Sequence, residues 1–274
     1  MPENARHQTL SQFPMTVTLF GPLRPASALQ RRTNRVMKAH SGGQDHFTEI
    51  TLLDGSNRGG MVVKYYVRAA SPRTAKRVGL VYLSQLCDLL SAVTQCAVRL
   101  SLQEEEAREE LTRRHRETVQ VNRVVTEEEW SWVTGSLVAL RREHPRFLAA
   151  ASWFRKGLNG NDALDDFCCF WRTIERLAEH YADRSGWAEG DGGVRKCIRQ
   201  LTDDLFHDQD GIPELLRDAD RVKRVVKMRN DISHGNEPVT VDMIETASEE
   251  LTALEEAAFT VLVRIRHMRL TFGA

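Results

Sequence analysis

The sequence lacks any apolar run approaching the roughly 18 residues that span a bilayer, although 41% of its 274 residues are hydrophobic. It also lacks the unbroken apolar stretch of an N-terminal secretory signal. The region between Glu3 and Asp45 is free of acid and carries Arg24, Arg31, Arg32, Arg35 and Lys38, a bias shared with organelle transit peptides. Pro14, Pro22 and Pro25 interrupt any long amphipathic helix there, so a folded segment with a basic surface is expected. The chain reads as soluble and cytoplasmic, with no membrane partner. Its five cysteines, Cys87, Cys96, Cys168, Cys169 and Cys197, include no Cys-x-x-Cys pair and no histidine at zinc spacing. Neither a disulfide framework nor a structural zinc follows, and packed, reduced thiols fit better. No Walker loop and no Gly-x-Ser-x-Gly elbow is present, and no cofactor is expected. Net charge is absent too: 38 Lys and Arg balance 38 Asp and Glu. With no overall field to attract nucleic acid, any RNA contact must use a local patch.

What is there divides into a mixed N-terminal part and a helical remainder, a mainly α chain. Residues 15–20, 46–53 and 61–67 are β-rich, and Asp54-Gly55 and Gly59-Gly60 fall where a hairpin connection belongs. Val78, Val81, Tyr82, Leu86 and Leu89 recur at helical spacing within 74–90, and 96–100 reads as a further short strand. Residues 1–102 are therefore expected to form a small α+β domain of unassigned role. Residues 103–125 begin with dense charge, including Glu109 with Arg113 and Glu110 with Arg114 at i,i+4, as in a solvated linker or helix. Thr126 then opens a capping box with Glu129 ahead of Trp130, Val133, Leu137 and Leu140. From there to residue 274 the pattern predicts helices over 146–158, 162–183, 194–206, 213–232 and 241–269, joined by short Gly- and Asn-containing turns. Short connections between long amphipathic segments predict an antiparallel bundle.

One constellation carries chemistry. The segment Arg229-Asn230-Asp231-Ile232-Ser233-His234-Gly235 ends a helix whose stripe is Leu215, Ala219, Val222 and Val226, and Arg229 continues that stripe. A guanidinium on the core-facing side is costly unless it meets a carboxylate or lines a cleft. Glu175, on the stripe of Leu164, Phe167, Cys168, Trp171 and Ala178, is the expected answer, through a bidentate pair. Asn230 and His234 are i,i+4 neighbours if the helix persists to Gly235. Arg217, Arg221, Lys223, Arg224 and Lys227 outnumber Asp218 and Asp220 on this segment, giving a basic face suited to a phosphate backbone.

This pattern, Arg-x4-His-Gly after a helix reading Asp165-Asp166-Phe167 through Trp171-Arg172-Thr173-Ile174-Glu175-Arg176-Leu177, resembles HEPN proteins of the Apea-like branch and the methylamine-utilisation accessory family grouped with them. The likeness spans about 146–268. It implies a helical bundle forming a two-fold dimer whose paired Arg-polar-x3-His motifs cut RNA without a metal, as in endoribonuclease toxins and antiviral effectors with their inhibitor or regulatory partners. By position, Arg229 matches the motif arginine, Asn230 the polar residue and His234 the histidine, while Glu175 resembles the acid on the facing helix. The residue types suit the reaction independently: histidine exchanges protons near neutrality, and arginine stays cationic and matches phosphate oxygens. One chain supplies one motif histidine, so a second copy would supply its partner.

Competing readings are open. His234 at a helix C-terminus also interacts favourably with the last carbonyls, and a Glu175–Arg229 pair also fixes helix register. The family contains non-catalytic modules that dimerise and bind nucleotides or partners, and the second resemblance suggests an accessory factor of amine metabolism. Asp203, Asp204, His207, Asp208 and Asp210 match no calcium loop and read as a polar helix end rather than a metal site.

Overall fold

The computed structural model describes residues 10–38, 44–55, 60–101, 123–188, 192–207, 210–234 and 238–270. Among them the chain is mainly helical, with a small antiparallel sheet near the N-terminus. The elements are β1 (Ser11–Phe20), β2 (Leu23–Pro25), β3 (Leu29–Lys38), β4 (Gln44–Gly55), β5 (Gly60–Ala69), α1 (Pro72–Thr94), β6 (Arg99–Ser101), β7 (Arg123–Val125) and α2 (Glu127–Glu143), followed by α3 (Pro145–Leu158), α4 (Ala163–Tyr181), α5 (Val194–Leu205), α6 (Glu214–Arg217), α7 (Ala219–His234) and α8 (Val241–Arg269). No helix among the described residues is long and apolar enough to cross a membrane.

Packing divides the chain into two units, Met1–Leu90 with Val98–Val138, and Ser91–Ala97 with Ala139–Ala274. In the first, a sheet of order β3-β4-β5-β1-β6 is built on the β4-β5 hairpin. Strand β5 shows why: Met61, Val63, Tyr65, Val67 and Ala69 are buried while Lys64, Tyr66 and Arg68 are exposed, the period-two pattern of a strand with one covered face. Helix α1 buries Ala75, Val78, Tyr82 and Leu86 and meets that face where Gly79 lies beside Tyr65. A Cβ at Gly79 would stand 2.5 Å from the Tyr65 hydroxyl, so only glycine lets helix and sheet approach this closely. Burial there pushes the Tyr65 phenol up to about 12. Strand β1 begins before the expected 15–20 and runs through Pro14, which stands opposite Tyr66 of β5, while β6 pairs only with Thr18 to Phe20.

The boundary differs from the one expected near residue 126. Strand β7 pairs in parallel with β2, and the greater part of α2 belongs to the first unit. The Thr126 capping box forms as read: Thr126 Oγ1 accepts from the Glu129 N–H at 3.2 Å, and Glu129 Oε2 accepts from the Thr126 N–H at 3.0 Å. Of the expected charged linker over 103–125, residues 103–122 lie outside the described residues.

The second unit is a helical bundle. Helices α3 and α4 are joined by four residues and run antiparallel, as Thr173 Oγ1 to the Ala150 carbonyl and the Phe154–Phe170 contact show. Asp162 caps α4 by accepting from the N–H groups of Leu164 and Asp165. Thr240 caps α8. Phe147, Phe154, Phe167, Trp171, Leu254, Leu262 and Ile265 make its core.

Candidate functional site

Helix α7 carries the motif, and its start corrects the sequence reading. The expected single helix over 213–232 breaks at Asp218, whose Oδ1 accepts from the N–H groups of Arg221 and Asp220 at 2.9 Å. Those bonds, that of Arg221 foremost, hold the Asp218 carboxyl below the usual range. Leu215 accordingly belongs to the short α6, and Ala219 is exposed. The inward residues of α7 are Val222 and Val225. Val226 and Arg229 follow along a cleft.

Helices α4 and α7 are antiparallel here. Cys168 Sγ lies 3.9 Å from Ser233 Oγ near one end, and Glu175 meets Arg229 further along. Arg229 Nη2 donates to Glu175 Oε2 at 2.7 Å, with side chains 20% and 12% exposed, so the pair sits where water screens it little. The expected bidentate pairing is replaced by a shared one: Nη1 donates to Asn230 Oδ1 at 2.9 Å. Arg229 Nε is buried without a hydrogen-bond partner among the described residues. The guanidinium plane is thus fixed by two side chains, which use two of its five N–H donors.

Glu175, Arg229 and Asn230 line a cleft of about 1100 Å³ walled by α4, α5, α6 and α7. Trp171, Ile198, Leu216, Val222 and Val226 form its apolar lining. Arg195, Lys196, Arg199 and Arg217 join Arg229 as cations, against the carboxylates of Glu175 and Asp203. In a chain without net charge, this is a local concentration of positive charge inside a concave surface.

The structure sorts the candidate residues unequally. Arg229, Asn230, Glu175 and Arg217 come together in the cleft. His234 ends α7, exposed, and is not part of the cleft lining. Arg221 is engaged elsewhere, its Nε bonded to both carboxylate oxygens of Glu250 at 2.9 and 3.2 Å and its Nη1 to Glu214. Lys223, Arg224 and Lys227 are exposed and line no part of the cleft, with Arg224 near Asp218 and Lys227 bonded to Asp231 at 2.6 Å. The basic face expected over 213–232 is therefore split: Arg217, on α6, enters the cleft, and Arg221, Lys223, Arg224 and Lys227, on α7, lie outside it. The Gly235-Asn236 turn lies outside the described residues.

Sequence reasoning passed over Arg195, Lys196 and Arg199. A signal was present: α5 has cations and no acid near its N-terminus, against the helix dipole, and its Gly193 cap offers no side-chain bond. The neighbouring thiols are poor nucleophiles. Burial pushes Cys168 up and Cys169 to about 11, so both stay protonated near neutrality.

No protein-family model, curated protein or solved structure gives a match to this chain, so the likeness to HEPN proteins rests on the residues themselves.

Proposed function

We propose that this chain is a HEPN-type endoribonuclease that acts as a two-fold dimer. The observation that carries the reading is Arg229, fixed by Glu175 and Asn230 in a cation-lined cleft, with an exposed imidazole at the end of the same helix. Arg229 binds the scissile phosphate and offsets the charge that grows on its oxygens in the pentacovalent transition state. Glu175 and Asn230 orient the guanidinium. Arg195, Lys196, Arg199 and Arg217 hold the flanking backbone. His234 exchanges protons, taking one from the ribose 2′-hydroxyl or giving one to the departing 5′-oxygen. The bond between phosphorus and the 5′-oxygen breaks as the 2′-oxygen attacks, leaving a 2′,3′-cyclic phosphate and a 5′-hydroxyl. Base, acid and cation all come from side chains, and the second copy supplies the second imidazole. Exposed apolar side chains at Val239, Val241 and Ile244, within ten residues of the motif, favour such a copy docking at this end of the bundle.

A second reading, a non-catalytic module binding a nucleotide or partner, is favoured by one observation: His234 does not line the cleft. Cleavage of total RNA by wild type and His234→Ala separates the two. The nuclease reading expects the variant to lose activity while keeping its fold. Equal activity in both removes His234 from the mechanism, and saturable nucleotide binding with no cleavage by wild type favours the module.

A further inference from the structure

A second, smaller concavity of about 320 Å³ lies in the same unit, lined by Arg146, Arg176, Glu179, His180, Arg184 and Gly192. Its parts come from separate places in the sequence. Arg146 stands in the first turn of α3; Arg176, Glu179 and His180 share a face of α4; Arg184 follows α4, and Gly192 precedes α5.

The charges here are unbalanced. Among the described residues none of the three arginines makes an ion pair: Arg184 Nη2 donates to the Glu179 carbonyl at 2.5 Å and to Cys197 Sγ at 3.4 Å, neither of them a carboxylate. Elsewhere in this unit arginines close onto acids, as Arg221 does with Glu250 and Arg142 with Glu143. Three guanidiniums around one small pocket with a single lining carboxylate repel one another, and an anion with several acceptor oxygens relieves that repulsion. Partial burial first, then the Arg146 and His144 charges, hold the His180 imidazole below its usual value, and of these only the Arg146 charge comes from the lining of the concavity. The volume is near the lower end of small-ligand pockets, roughly 300 Å³, which suits a phosphate group better than a whole nucleotide. The pocket is tied to the larger cleft by consecutive residues: Arg176 follows Glu175 on α4, and Gly192 and Gly193 line one concavity each at the start of α5.

We propose that the pocket of Arg146, Arg176, His180 and Arg184 is a phosphate-binding subsite, occupied by a backbone phosphate of the RNA strand held in the Arg229 cleft. The inference rests on the RNA reading above for its occupant, and on the pocket's own geometry for its phosphate chemistry. All the residues lining this concavity are exposed, so it is open to solvent and replacing Arg146 and Arg176 leaves the bundle core untouched.

The test uses the full chain in two measurements. In the first, inorganic phosphate is titrated while the histidine ring signals are followed by NMR, with His180→Gln used for assignment and sodium chloride at equal ionic strength as control. His180 is expected to shift saturably with phosphate, and the response is expected to weaken about tenfold in Arg176→Gln. In the second, binding of a single-stranded RNA is measured against salt for wild type and for the Arg146→Gln, Arg176→Gln double variant, with thermal melts confirming equal folding. The double variant is expected to bind about tenfold more weakly, with a salt slope smaller by about 0.7 because one phosphate fewer is neutralised. Phosphate that moves His180 no further than chloride overturns the pocket, whatever the RNA measurement gives. Phosphate that shifts His180 while RNA affinity and slope stay at wild-type values overturns the strand as occupant. That second result leaves the Arg229 reading standing, because cleavage and its loss in His234→Ala are measured separately.

Discussion

The two units share closed ion pairs but differ in what surrounds them. Around β7 and the start of α2, Arg123 bonds both oxygens of Glu129, and Glu129 also closes the capping box with Thr126. Burial alone would raise the Glu129 carboxyl, but the bonds from Arg123 and Thr126 hold it below the usual range. The helical unit has closed pairs too, such as Arg221 with Glu250, but there cations also gather in two concavities whose linings hold fewer acids than bases. Asp166, in the first turn of α4, is pushed up to about 6 by burial and by the neighbouring Asp162 and Asp165. Closed pairs fix a local structure, whereas unmatched charges cost stability unless a ligand completes them. Closed pairs of this kind occur in both units, as Arg123 with Glu129 and Arg221 with Glu250 show, whereas the cation-rich concavities lie in the second.

Three substitutions sharpen or break this contrast. The largest effect is expected from Glu175→Ala, which leaves a mostly buried guanidinium holding only Asn230. Denaturant unfolding should show a loss of about 3 kcal/mol, the low end for breaking a buried pair because this one keeps some exposure. A loss indistinguishable from zero would mean that Arg229 is held without Glu175. Next comes Glu129→Gln, where the lost ion pair and weakened cap should cost about 1 kcal/mol at neutral pH. The sign follows from the lowered pKa: the ionised group stabilises the fold above its unfolded value, about 4.3, and that contribution vanishes as pH falls through the folded value. Wild type and variant melts should therefore converge in acid, and a gap that persists there would contradict the ionic origin. The smallest effect, roughly a few tenths of a kcal/mol, is expected from Asp166→Asn, and it should stabilise. A raised folded pKa means that wild type loses stability as pH rises from about 4 to about 6, so the variant should lead above pH 6 and lose that lead below pH 4. Destabilisation at pH 7.5 would show that the carboxylate has a favourable role in the α4 first turn.

Much of the architecture was legible because burial imposes a period on the sequence. Alternation in β5 and the stripes of α1, α4 and α8 give those elements directly, and the phase of Glu175 and Arg229 on facing stripes gives their pairing. Strand β3 was not legible. It is an edge strand rich in arginine, and its polar pattern is what keeps an edge from pairing further. The break before α7 was hidden because Asp218 reads equally as a helix residue and as a cap. The cations of α5 were passed over for a different reason. Along the chain they look like an exposed face, and only packing against α4 and α7 turns that face into a cleft wall. His234 was correctly placed at a helix end, but a one-dimensional pattern does not tell a cleft from the surface beside it.

The most direct measurement is end-group analysis of a labelled RNA incubated with wild type, Arg229→Gln or His234→Ala in the presence of a chelator. Wild type is predicted to give fragments with 2′,3′-cyclic phosphate and 5′-hydroxyl ends, and each variant to cut at least about 100-fold more slowly. Fragments with 3′-hydroxyl and 5′-phosphate ends, or equal rates in all three proteins, would contradict the assignment of Arg229 and His234.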